Sequence, residues 1–209
     1  MIRSLALRDA AAEVWEASLQ HPFVQGIGDG TLDEAAFRWY IRQDYRFLID
    51  YGRLLSLGAA RAPRLSWMRR FAALSLAVLE TEMELHRGFA ARWGVTDLEA
   101  VVVEPATAAY CDFLLRTASL GDFSELVAAV APCMWGYAEI GTSLAANATS
   151  DRYAEWIEMY AGDEFGELAD WSRELLDEVD GELEAMKAAF LTSSRHELAF
   201  WEAAWQSPR

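Results

Sequence analysis

An all-α helical bundle is what this sequence predicts, on three observations. Ala, Leu, Glu and Arg, all good helix formers, dominate from end to end. Apolar residues recur at i, i+3, i+4 and i+7 through each long segment. The only strand-like run, Val101-Val102-Val103, is too short and too isolated to make a sheet. With 209 residues, 53% of them apolar, the chain can bury a substantial core as one domain spanning residues 1–209.

The elements follow in order. Helices are expected near 4–20, 32–60, 65–93, 105–120, 123–147, 151–161, 164–180 and 182–205. Thr31 with Glu34, Thr96 with Glu99, and Asp122 with Glu125 resemble capping boxes or the Asp variant of one. Gly94 and Gly121 read as stops, and Pro22, Pro63 and Pro105 interrupt the pattern. Gly26-Ile27-Gly28-Asp29-Gly30 follows no strand and has no suitable basic residue, so it reads as a turn rather than a phosphate loop. Connections are short and nothing repeats, so one compact bundle follows, with a cavity between its helices.

Composition removes several classes of function. A formal net charge of −15 argues against nucleic acid as a partner, because phosphate binding needs clustered Lys and Arg. No segment has the uninterrupted apolar length of a membrane span. The first nine residues carry charge throughout and do not read as a signal peptide. Two cysteines, Cys111 and Cys133, form no disulfide framework and fit a reducing, cytoplasmic setting.

The chemistry is written on the inward stripes. Phe37, Tyr40, Ile41, Asp44, Phe47, Leu48, Tyr51 and Leu55 share one helix face. A carboxylate in an aromatic stripe is costly to bury unless something pairs with it, and a structural ion pair is the bland explanation. Near the C-terminus, Phe190, Ser194, Glu197 and Trp201 repeat the pattern. Cys133 and Tyr137, four residues apart, share a third face. One thiol, two inward acids and several tyrosines (Tyr40, Tyr51, Tyr110, Tyr137, Tyr160) are the parts of a covalent site with acid–base support. Cys133 directly follows Pro132. Either a helix kinks there, or one begins there and its dipole lowers the thiol pKa. Cys111 reads as a small buried hydrophobe.

Metal chemistry is the main competitor. Glu82 lies on the stripe Phe71, Ser75, Val78, Glu82, Leu85, Phe89, with His86 one turn on. Together with Asp44 and Glu197 this evokes a carboxylate-rich di-iron site. The chain has only three histidines, His21, His86 and His196, and no duplicated Glu-x-x-His pair. Glu82 and His86 therefore read first as an i, i+4 polar pair, and neither metal nor haem is expected.

Five blocks resemble the TenA family (thiaminase II, aminopyrimidine aminohydrolase). They are His21–Leu32, Phe37–Leu48, Pro132–Gly141, Tyr160–Phe165 and Ser193–Trp201. They cover nearly the whole chain in order. The resemblance implies a haem-oxygenase-like fold without haem or other cofactor, usually a homotetramer. It also implies cleavage of a substituted aminomethylpyrimidine, serving thiamin salvage. By the same resemblance Cys133 is the nucleophile and Glu197 the proton donor. Asp44 holds the pyrimidine amine and ring nitrogen, and Tyr110, Tyr137, Tyr160 and Phe200 line the pocket. Phe47 stands where the family often has tyrosine, which removes a hydroxyl. Two other classes stay open: a metal oxidase on the same fold, and a regulatory protein, after the family's older label of transcriptional activator.

Overall fold

The computed structural model describes residues 2–207. The described chain is helical, with no strand. Its helices are α1 (Arg3–Ala10), α2 (Ala12–Leu19), α3 (Pro22–Asp29), α4 (Glu34–Arg61), α5 (Leu65–Ala77), α6 (Met83–Arg92), α7 (Pro105–Leu120), α8 (Phe123–Asn147), α9 (Ala154–Ala161), α10 (Asp163–Glu178) and α11 (Leu183–Trp205). A π-helical turn, Val78–Glu82, joins α5 to α6, and a 3₁₀ turn, Leu98–Ala100, precedes α7. No helix among the described residues is long and apolar enough to cross a membrane.

Several local expectations change. The first helix is broken at Ala11 into α1 and α2. The glycine-rich stretch is not a free turn: most of it completes α3, whose N-cap is His21 and whose first residue is Pro22. Gly30 ends that helix at φ +76°, a left-handed conformation suited to glycine. The cap of α4 is Asp33, which accepts from the Ala35 N–H at 2.7 Å, rather than Thr31. Asp122 and Glu125 do form the expected capping box on α8. Thr96 and Glu99 cap no α-helix; only the 3₁₀ turn lies there. Val101–Val103 is extended but pairs with nothing as a strand.

The long helices carry the core. α8 packs against α9, α10 and α11, and α4 packs against α5 and α7. Their buried side chains form one connected cluster. Pro132 sits inside α8, so the helix runs through it. The missing N–H frees the carbonyl one turn earlier, and the next one, on Ala129, accepts from Ser193 Oγ of α11 at 2.6 Å.

Gly141 sets how closely α9 approaches α8. A Cβ there would stand 2.5 Å from the Tyr160 carbonyl carbon and 2.7 Å from the Ala161 nitrogen. Backbone cannot yield as a side-chain end can. Gly141→Ala is expected to destabilise the protein by about 1–3 kcal/mol in urea unfolding and to displace Tyr160. An unchanged unfolding midpoint would show that α9 does not depend on this contact.

Candidate active site

The inward face of α4, the π turn and the middle of α8 enclose a cavity of about 280 Å³, closed on another side by α9 and α10. Asp44, Phe47, Cys133, Tyr137 and Tyr160 all line it, as the sequence led us to expect. So do Tyr51, Glu82 and His86. Glu197 stands behind Tyr137 beside a separate void of about 20 Å³ between α2, α8 and α11. That void has room for about one water molecule. Tyr110 and Phe200 do not line the cavity. Tyr110 holds Glu197, and Phe200 packs against Trp39, Tyr40 and Trp201 as part of the aromatic core. For Phe200 this corrects the expectation: it shares the Glu197 face of α11, but Trp39, Tyr40 and Trp201 take its ring into the core instead of the lining. Phe47 lies between Tyr51 and Tyr110, with ring centroids 5.6 and 5.1 Å away.

The charges of three carboxyls, Glu197, Asp44 and Glu82, act on the Cys133 thiol. Burial first, then those charges, raise the thiol well above its ordinary pKa. Because Cys133 is mid-helix, no helix N-terminus offsets this. The resting sulfur is therefore a thiol, near the Tyr51 hydroxyl. Cys111 is buried elsewhere on α7, and burial together with Asp50 pushes it up to about 12.

Asp44 and His86 face each other across the cavity wall. His86 Nε2 lies 2.8 Å from the Ile41 carbonyl. A carbonyl only accepts, so Nε2 carries the hydrogen. The other ring nitrogen, Nδ1, then faces Asp44 Oδ2 at 3.5 Å. Burial raises Asp44 to about 7 and lowers His86, so it favours the neutral form of each over an ion pair. The expected Glu82–His86 pair does not form; His86 turns to Asp44 instead.

Glu197 is only 8% exposed. Burial raises it to about 8, against a hydrogen bond from Tyr110. Its Oε1 lies 2.6 Å from Tyr110 Oη, which lies 3.0 Å from Ser193 Oγ, which donates to the Ala129 carbonyl. With Glu197 protonated, donation runs along this whole chain to a carbonyl that only accepts. With Glu197 ionised, Tyr110 donates to it, and the contact with Ser193 loses its hydrogen. The geometry thus accommodates the acid form. Among the described residues no three His, Cys, Asp or Glu side chains are grouped to hold a metal ion.

Comparison with known proteins shows the family. Residues 8–207 match the model of the TENA/THI-4/PQQC family. The chain belongs to that family. It is 45% identical to an aminopyrimidine aminohydrolase of Halalkalibacterium halodurans, over 96% of this chain and 94% of that protein. It is 38% identical to the aminopyrimidine aminohydrolase of Bacillus subtilis, over 95% of this chain and 88% of that one. The TenA homologue of Pyrococcus horikoshii superposes with a TM-score of 0.94 at 28% identity, covering 100% of both chains. A Silicibacter structure described as a TenA family transcription regulator gives 0.93 at 32%, covering 98% of this chain and 96% of that one. A Shewanella denitrificans domain with a haem-oxygenase-like fold matches at TM-score 0.77 and 14% identity, covering 97% and 91%. The TenA-type, haem-oxygenase-like fold expected from the sequence is the one found.

Proposed function

We propose that the chain hydrolyses substituted 4-amino-5-aminomethyl-2-methylpyrimidines, thiamin among the candidate substrates, to the 5-hydroxymethyl compound for thiamin salvage. The observation that carries this is one thiol on a pyrimidine-sized cavity, set between two acids whose protons are held near neutral pH. Relatives bearing the aminohydrolase name support it. Asp44 in its acid form donates to a ring nitrogen and accepts from the exocyclic amine, which polarises the ring. Sulfur then adds to ring carbon and hydrogen to ring nitrogen, with Asp44 carrying the proton. Glu197, one side chain behind the lining at Tyr137, supplies the proton that a departing amine needs, and loss of the group leaves an exocyclic methylene. Water adds there, giving a proton to the Glu197 carboxylate, and the C–S bond then breaks as the ring nitrogen returns its hydrogen to sulfur. Every step uses the chain's own side chains, so no cofactor is required. The net charge of −15 weighs against direct DNA binding, and the free thiols fit the cytoplasm.

The test is parallel hydrolysis of thiamin and 4-amino-5-aminomethyl-2-methylpyrimidine by the purified protein. Release of the hydroxymethylpyrimidine from either supports the reading, and release from neither overturns it. We also propose a homotetramer. Leu65, Met68, Leu76 and Leu79 leave an exposed apolar stripe along α5 and the π turn, which supports self-association. Light scattering at micromolar concentration should give about four times the 23.4 kDa chain mass. A mass of one chain would refute the tetramer.

A further inference from the structure

Three acids face or flank the thiol, and two of them have partners. Asp44 has His86, and Glu197 has Tyr110. Glu82 has none: among the described residues it makes neither a hydrogen bond nor an ion pair, although it lines the cavity. It is also set apart by backbone. Glu82 ends the π-helical turn Val78–Glu82, where an extra residue in the turn rotates the following side chain relative to a regular helix. Such turns recur at functional sites.

Its position in the cavity gives it a direction. Asp44 is buried on α4, whereas Glu82 is half-buried among the exposed Thr81, Leu85, Met159 and Glu164. The pyrimidine, common to every substrate considered, goes inward to Asp44. The substituent that varies, an amine or a thiazole, then points to the side where Glu82 stands. In each substrate the departing nitrogen is positive when its bond breaks. An aminomethyl group arrives as an alkylammonium or takes its proton from Glu197, and thiamin carries a thiazolium. The product alcohol is neutral.

We propose that Glu82 is the cation-binding residue of this cavity, pairing with the positive nitrogen on the exocyclic methylene and so separating charged substrate from neutral product. The proposal rests on the aminopyrimidine reading of the site. It explains why this one acid has no protein partner: the partner is the ligand. Burial and the Asp44 charge raise Glu82 to about 7 in the empty cavity, and a bound cation would restore the carboxylate.

The experiment compares wild type, Glu82→Gln and Glu82→Asp. KM and kcat are measured with the aminomethylpyrimidine, and Kd by calorimetry with the hydroxymethylpyrimidine. A charge-assisted hydrogen bond is at stake, so Glu82→Gln should raise KM about 10- to 100-fold while kcat stays within about threefold. Its Kd for the neutral alcohol should change by less than about twofold. Glu82→Asp keeps the charge on a shorter arm and should recover part of the loss. Equal weakening for amine and alcohol in both variants would make Glu82 structural and overturn the proposal. So would an unchanged KM. A wild type that hydrolyses no aminopyrimidine would sink the functional reading instead. The Kd of the aminomethyl compound, measured by the same calorimetry on all three proteins, would then decide on Glu82 alone.

Discussion

Cys133→Ser should lose more than about 10³-fold in hydrolysis while its thermal unfolding stays that of the wild type. Serine is nearly the same size and keeps the hydrogen-bonding pattern, so the Pro132–Cys133 segment of α8 has no reason to rearrange. What changes is the nucleophile: an alcohol holds its proton far more tightly than a thiol and attacks far less readily. The surroundings enlarge the difference. Glu197, Asp44 and Glu82 all disfavour negative charge at this position, and a serine alkoxide would bear that penalty from a higher starting pKa. The matched control is Cys111→Ser. Cys111 is buried on α7 beside Asp50, away from the cavity lining, and its replacement should leave the rate nearly unchanged. Steady-state rates for the two variants side by side decide the matter. Equal activities would remove Cys133 as the nucleophile.

Much of this site was legible because it lies on regular helix. The α4 stripe predicted which side chains turn inward, and Phe37, Tyr40, Asp44, Phe47 and Tyr51 are all buried together. The α11 stripe did the same for Phe190, Ser194, Glu197 and Trp201. Periodicity places side chains on a face but does not choose their partners. Glu82 and His86 keep i, i+4 spacing and both line the cavity, yet His86 turns to the Ile41 carbonyl and faces Asp44 instead of Glu82. The α3 helix was missed because three glycines in five residues outweighed His21 as cap and Pro22 as first residue, both of which were visible. Phe200 shows a different limit. Sharing a helix with Glu197 does not place a ring in the cavity, because Tyr40 and Trp39 claim it for the core. The thiol's protonation was not legible at all. It depends on burial first and then on the charges of three acids from three different segments, which no local pattern encodes.

Glu197→Gln should lower kcat about 10²–10⁴-fold, the usual contribution of a positioned acid–base group, with little change in affinity for the hydroxymethylpyrimidine. Glutamine keeps the volume, and its amide N–H can donate to Tyr110 as the acid's O–H does, so the Tyr110–Ser193 contact persists. It has no proton to give the departing group and no basicity toward water. The pH profile separates this from damage to packing. With Glu197 raised to about 8 by burial, the wild type holds the acid form at neutral pH, and kcat should fall as pH rises through about 8. The Gln variant has no such group and should lack that limb. Asp44→Asn should behave otherwise. An amide can present the same donor and acceptor, but it has no proton to pass to the ring and no charge to pair with the protonated ring, and it faces His86 differently, so the charge-assisted part of binding should be lost together with the rate. Titrating the hydroxymethylpyrimidine into both variants, with turnover measured alongside, distinguishes the roles. If Glu197→Gln lost binding and Asp44→Asn kept it, the proton donor and the pyrimidine clamp would have to be exchanged.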